Sequence, residues 1–249
     1  MDERQRTGTQ AIDRALALLR LIERADVDLG ITALAAECGL SVSTTHRLVR
    51  ALNAAGLVAQ DPLTERYHLG AGLVAMGRRA ESRLGLDRWA AVLVGLSRDT
   101  GESASLGTRV GRHVLIAAHV PSAQALRFDA DVGSRVPIHA SAMGKMFLAL
   151  TEDPARELAA LGPLERFTSR TFTDPDDLLV ELGSIRRRGW SLNDGERHEG
   201  VRAVAVAIAP TAGGLADSAV AVQGPALRVT DDRLEVIVAT LGAAVGGES

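Results

Sequence analysis

Two short hydroxyls and two guanidinium groups, those of Ser43, Thr44, Arg47 and Arg50, recur at intervals that bring them to one side of a helix. Such a face can do hydrogen-bonding chemistry on a nucleic acid. Docked N-terminus first in a major groove, the hydroxyls approach base edges or phosphates, and Arg47 reaches a guanine or a backbone oxygen. The sequence leaves open which of these each residue does. Other residues suggest different chemistry. Ser141 with His139 and Asp194 or Asp217 can be drawn as a hydrolytic set. No G-x-S-x-G elbow surrounds Ser141, however, and a serine at a helix start caps more often than it attacks a carbonyl. His113, His119, His139 and His198 lack metal-ligand spacing. No catalytic residue, metal or cofactor is expected. Arg186-Arg187-Arg188 ends a predicted helix, where cations satisfy the last carbonyls. That reading is preferred to a second nucleic-acid site, because no aromatics are interleaved and the chain holds only 3% of them.

The polar face needs a positioned helix, and the flanking residues supply one. Ser41 can accept a hydrogen bond from a first-turn amide, and Gly39 suits the turn before it. Thr45, Leu48, Val49 and Leu52 recur at i, i+3, i+4 and i+7, a buried stripe whose weak member is Thr45. A shorter helix precedes, joined at Cys38-Gly39-Leu40, with Cys38 read as a buried apolar thiol inside it. Gly56 ends the second helix. Strands at 57–59 and 66–69 then enclose a turn, with Thr64, Glu65 and Arg66 at or near its tip. The order is helix, tight turn, helix, wing. A wing arginine touches phosphate or the minor groove. The residues expected to contact DNA are Thr32, Ser41, Ser43, Thr44, Thr45, Arg47, Arg50, Thr64 and Arg66. A first helix at 9–24, with Ile12, Ala15, Leu16, Leu19 and Ile22 inward, completes the unit.

Charge qualifies this picture. The 249 residues carry a net charge of -3. Through residue 83 there are 11 arginines and 10 acids, a balance of +1, and the remainder stands at -4. Small specific DNA readers are often strongly basic, so a near-neutral unit binds weakly alone and dimerisation must supply the rest. With one cysteine there is no disulfide framework. No apolar run approaches the roughly 20 residues of a membrane span, so the expected location is cytoplasmic, with no membrane partner.

Helical periodicity continues from 72 to 100 with a break near Gly85, a linker helix and then the opening helix of a second domain. Beyond it lie a hairpin turning at Val110-Gly111-Arg112, a strand at 125–128, helices at 142–150 and 175–188, strands around Trp190, at 201–208 and at 216–222, and a helix at 231–245. The sum is α+β with an antiparallel sheet. The domains are a winged helix-turn-helix at 8–70, a linker helix at 71–84 and an effector-binding and oligomerisation domain at 85–249.

The segments RALALLRLIE, LAAECGLSVSTTHRLVRALNAAGLV, RYHLG, VPIHASAMGKMFLA and RRRGWSLNDGERHEGVRAVAVAI resemble, in order and spacing, the IclR-type transcriptional regulators. The resemblance implies a C-terminal effector domain related in shape to GAF and PAS sensors. It also implies a homodimer or dimer of dimers on a palindromic double-stranded DNA operator. The expected function is a transcription regulator modulated by a small organic acid or aromatic metabolite. The alternative is a hydrolytic or other metabolite-processing enzyme carrying an accessory DNA-binding module.

Residues 139–145 form a small-residue strand-to-helix junction whose free amides and helix dipole suit an anion. By resemblance, the pocket is lined by Ser141, Ala142 and Met143 at this junction, and by Asn193, Ala203, Ala221 and Gln223. The family often places an acid at the position of Asn193, a cysteine at Ala203 and small hydroxyls near Ala221 and Gln223. The departures here favour a larger or more apolar ligand than a small keto acid. Leu126 and Arg127 are added to the effector set, Arg127 as a carboxylate clamp or else as a solvated strand-edge cation. Glu196 and Glu199 with Arg197 and Arg202 read as a solvated, charge-rich turn.

Overall fold

The structure, a computed structural model, describes residues 3–208 and 218–246. The chain divides into two compact units, Met1–Glu81 and Ser82–Ser249.

In the first unit, helices α1 (Glu3–Arg24), α2 (Ile31–Glu37) and α3 (Val42–Ala54) precede a two-stranded antiparallel wing, β1 (Val58–Gln60) and β2 (Tyr67–Leu69). Leu18, Ile22, Leu34, Val49, Leu52, Val58 and Tyr67 form its core. Burying each large aliphatic there contributes about 1.5–3 kcal/mol, so the apolar phase decides which face turns inward. On α1 that phase differs from expectation. Ile12 and Leu16 are 62% and 44% exposed, while Leu18 is fully buried; Ala15, Leu19 and Ile22 do pack inward. The helix carries two overlapping apolar stripes, and packing selects the one through 15, 18 and 22.

Ser41 caps α3, accepting the Thr44 amide at 3.3 Å, and Gly39 takes φ +63° in the turn. Cys38 lies just beyond α2 as its C-cap, half-buried, not within the helix. Burial pushes its thiol above the ordinary value, which disfavours the nucleophilic thiolate. After the wing the chain returns against the end of α3 so closely that a Cβ at Gly70 would lie 2.2 Å from the Gly56 carbonyl oxygen. A Cβ at Gly72 would lie 2.7 Å from the same atom. Helix α4 (Gly72–Leu84) follows, and Gly85 at φ +62° separates it from α5 (Leu86–Thr100), at the expected break.

The second unit is built on a six-stranded antiparallel sheet in the order β5-β4-β3-β8-β7-β6. Its strands are β3 (Ser103–Val110), β4 (His113–Val120), β5 (Arg135–Pro137), β6 (Ser191–Asp194), β7 (Val201–Ala207) and β8 (Ser218–Pro225). Side-chain alternation sorts the strands between two cores. Ala104, Leu106, Val204, Val206, Val220 and Val222 meet Trp89, Leu93 and Leu96 of α5 and Ile237 and Leu241 of α9 (Asp231–Gly246). Ala205, Ala219 and Ala221 face α6 (Ala142–Leu150), α7 (Pro154–Leu161) and α8 (Pro175–Arg188). Ser105, Ala203 and Gln223 share the second face by the same parity.

Three local readings change. Residues 125–128 form no strand; the edge strand is β5 instead, after a polar loop containing Asp129, Asp131 and Gly133. Helix α7 was not foreseen, although Asp153 caps it and Pro154 opens it, a readable start signal. Of the expected strand at 216–222, residues 216 and 217 lie outside the described residues and the rest belongs to β8. At the junction before α6, a Cβ on Gly144 would lie 2.0 Å from the Ile138 carbonyl oxygen, so only glycine lets the first turn of α6 rest on the incoming strand.

Candidate functional site

Two polar regions carry the chemistry, and the first is the outer face of α3. Thr32, Ser41, Ser43, Arg47 and Arg50 are exposed and Thr44 is half-buried. The Ser41 hydroxyl donates to Thr44 Oγ1 at 2.9 Å and lies 3.2 Å from Ser43 Oγ, so the hydroxyls form one small cluster at the helix start. Among the described residues neither Arg47 nor Arg50 has an ion-pair partner. Thr45 is a correction. It is fully buried and donates to the Ser41 carbonyl at 3.1 Å, so its hydroxyl is turned into the unit and cannot face DNA. In the wing, Asp61 Oδ1 accepts the Leu63 and Thr64 amides, each at 2.8 Å. These bonds hold its carboxyl below the ordinary value. Thr64 is exposed at the tip, and the Arg66 guanidinium donates to the Asp28 carbonyl at 3.0 Å.

The second region is a cavity of about 260 Å³ between the 128–134 loop, the start of α6 and the sheet. Ser141, Ala142, Met143, Asn193, Ala203, Ala221 and Gln223 all line it, as expected. Leu126 and Arg127 do not. Leu126 is 64% exposed, and Arg127 turns to the Gln124 carbonyl and to Asp129, with Nε 3.5 Å from Oδ2. With no strand at 125–128 to aim it inward, Arg127 cannot clamp a ligand in this cavity.

The cation in the cavity is Arg197, which the charge-rich turn had hidden. That turn is anchored. Lys145, 1% exposed, bonds Glu196, and its ammonium lies 5.1 Å from the Phe172 ring centroid and 3.7 Å from Glu181 Oε1. The Thr171 hydroxyl donates to the Glu196 carbonyl at 2.5 Å, and Asn193 Oδ1 accepts the Glu196 amide at 3.2 Å. Burial outweighs Lys145 and pushes the Glu196 carboxyl above its ordinary value. Arg202 is buried as well, paired with Asp194 at 2.9 Å and Asp231 at 2.6 Å. Among the described residues Arg197 has no hydrogen-bond acceptor or ion-pair partner, and burial depresses its guanidinium. Next to it, His198 packs on Phe128 at 5.9 Å across the cavity rim. Its imidazole is lowered by burial first and by Arg197 second.

The start of α6 adds donors. Ser141 Oγ accepts the Gly144 amide at 3.2 Å and donates to the Pro137 carbonyl at 3.0 Å. The amides of Ala142 and Met143 are left without a protein acceptor among the described residues. Ser141 is therefore a cap. His139 bonds the Glu165 carbonyl at 2.9 Å instead of Ser141, and Asp194 is taken by Arg170 and Arg202, so the hydrolytic set does not assemble; Asp217 lies outside the described residues. Arg186 and Arg188 satisfy carbonyls, at Ala149 (2.7 Å) and Trp190 (2.8 Å), which are not those of their own helix end. Among the described residues no group of His, Cys, Asp and Glu could hold a metal, and no helix is long and apolar enough to cross a membrane.

Residues 84–246 match the bacterial transcriptional regulator IclR C-terminal family, and residues 11–62 match the IclR helix-turn-helix domain. The chain is 36% identical over 233 residues to the HTH-type transcriptional regulator BhcR of Paracoccus denitrificans, covering 92% of this chain and 82% of that protein. An IclR transcriptional regulator from Silicibacter sp. TM1040 superposes with a TM-score of 0.84 at 28% identity, over 95% of this chain and 94% of that one. An IclR homolog from Microbacterium hydrocarbonoxydans, solved in complex with 4-hydroxybenzoate, has a TM-score of 0.77 at 23% identity, over 95% and 96% of the two chains.

Proposed function

Since the chain belongs to the IclR family of transcriptional regulators, and so is a DNA-binding regulator and not an enzyme, we propose that a small organic acid or aromatic metabolite controls its hold on DNA. Residues 8–70 read the operator, 71–84 link, and 85–249 bind the effector and associate with further copies. The operator is palindromic and is held by a dimer or dimer of dimers in the cytoplasm. Ser43, Thr44 and Arg47 enter the major groove, with Thr32, Ser41, Arg50, Thr64 and Arg66 on the flanking backbone. Self-association draws support from Ile12 and Leu16 on α1 and Val74 and Met76 on α4, large apolar side chains left 44–62% exposed in the first unit.

The observation that carries the effector reading is Arg197, a half-buried cation in the cavity without a partner among the described residues. Such a group is costly until an anion joins it. The Ala142 and Met143 amides at the α6 N-terminus favour the same charge, and the aromatic ligand of the Microbacterium relative has the size of a one-ring acid. Effector binding that favours one arrangement of the paired linker helices changes operator affinity by the same coupling factor.

The test is titration of benzoate and 4-hydroxybenzoate into the full chain bound to an operator selected from random duplexes. Arg197→Leu is expected to weaken carboxylate binding by about 10–100-fold, the worth of a charged hydrogen bond, with operator affinity kept. Unchanged carboxylate affinity in that variant would place the effector elsewhere.

A further inference from the structure

The cavity is bordered by the two ends of a hydrogen-bonded chain whose middle is hidden. Gln223 Nε2 lies 2.9 Å from Ser105 Oγ, Ser105 Oγ lies 2.8 Å from His119 Nδ1, and His119 Nε2 lies 3.1 Å from Asp129 Oδ1. Register builds this chain. Ser105 stands opposite His119 in the β3–β4 ladder and opposite Ala221 in the β3–β8 ladder, so Gln223 is its diagonal neighbour on the same face. Gln223 and Asp129 line the cavity, whereas Ser105 is fully buried and the His119 side chain is 5% exposed.

Proton counting gives the chain one direction. A carboxylate only accepts, so His119 Nε2 carries the hydrogen toward Asp129. Burial lowers the His119 imidazole despite Asp129, and the neutral ring leaves Nδ1 bare. Ser105 must then give its single proton to Nδ1, which leaves its oxygen to accept from Gln223. The Gln223 amide is thereby held with NH2 toward Ser105. Its carbonyl Oε1 accepts nothing from the described residues, and because Gln223 lines the cavity, Oε1 is the amide atom left for a ligand.

We propose, resting on the effector reading above, that this cavity selects a carboxylate that also bears a hydrogen-bond donor, a hydroxyl or an N–H, which is received by Gln223 Oε1 while Arg197 takes the anionic end. The class is hydroxylated or amide-bearing small acids. Ser105 and His119 are positioning residues: they touch no ligand and fix which face of the Gln223 amide the ligand meets. The Ser-His-Asp order invites a hydrolase reading, but Ser105 has no exposed surface from which to attack.

Isothermal titration of the full chain with 4-hydroxybenzoate, 4-methoxybenzoate and benzoate tests this. Benzoate is smaller than the hydroxy acid, so it removes size as the cause of any preference. The expected result is at least about a tenfold preference for the hydroxy acid over both others. Gln223→Leu, and separately Ser105→Ala, should bring the three within about twofold of one another. Equal binding of all three by the wild-type chain, with Arg197→Leu still weakening each, overturns the donor selection and leaves the anion site standing. A preference that survives Gln223→Leu also overturns it. Binding of none of the three overturns both readings.

Discussion

On the outer face of α3 the hydroxyls of Ser41, Ser43 and Thr44 cluster at the helix start, and Arg47 and Arg50 stand exposed without an ion-pair partner among the described residues. In the cavity the corresponding groups are oriented before any ligand arrives, by partners that lie outside it. Lys145 and Thr171 hold the turn that carries Arg197, and Ser105 holds Gln223. Under the proposed function the contrast follows from what each region meets. A phosphate backbone offers charge at regular intervals and tolerates mobile cations, whereas a ligand about one ring in size must be distinguished by a few fixed groups.

Substitutions can break this contrast at several strengths. The largest effect is expected for Gly144→Ala. The added Cβ would overlap the Ile138 carbonyl and force α6 off its strand, costing about 2–4 kcal/mol. A calorimetric melt in which the second unit loses stability while the first keeps its own would show that cavity order depends on backbone contact. An unchanged melt would mean the site is softer than described. Next comes Arg47→Ala with Arg50→Ala, expected to weaken operator binding by about 1–3 kcal/mol and to lower the slope of log affinity against log salt by about two. Circular dichroism should stay unchanged, since neither arginine has a partner to lose. If affinity and salt slope both persist, α3 is not the reading helix.

Thr45→Val separates inside from outside within a single turn. Loss of its bond to the Ser41 carbonyl should cost about 1 kcal/mol of stability and leave base preference in a binding selection as it was. A changed preference would return Thr45 to the reading face. The smallest effect concerns acid. Asp61 is held below its ordinary value by the Thr64 and Leu63 amides, so its contribution is complete above about pH 4, the unfolded carboxylate value. It is lost as pH falls through the lowered folded value. Protection of the residue 63 and 64 amides, their exchange measured against the intrinsic rate at each pH, should fall only on that acid side, and a loss of protection beginning near neutrality would contradict the assignment.

The local signals were readable wherever chemistry and element coincide. Ser41, Gly39 and Gly56 mark the bounds of α3 without tertiary help, and α6 and α8 begin and end where capping and periodicity place them. Helix α7 had a local signal in Asp153 and Pro154, whereas the site residues that escaped were decided at long range. Arg127 and Arg197 look alike in sequence, each a cation in a polar stretch. Only the Lys145–Glu196 pair, 51 residues apart, buries the second and leaves the first outside. Ser105 and His119 drew no notice as a pair because a strand register, invisible in one sequence, makes them neighbours. On α1 the error was one of phase between two usable stripes. The other stripe, with Ile12 and Leu16, is left exposed.

Leu52, Val58 and Tyr67 tie the wing to the end of α3 in one core, and the chain leaving the wing rests on that helix end through bare backbone at Gly56, Gly70 and Gly72. Wing and helix therefore behave as a caliper with a single setting. Under the proposed reading, a half-site stretched or shortened between groove contact and wing contact is not followed by this unit, and tolerance to operator length resides in the stretch between copies and not within a copy.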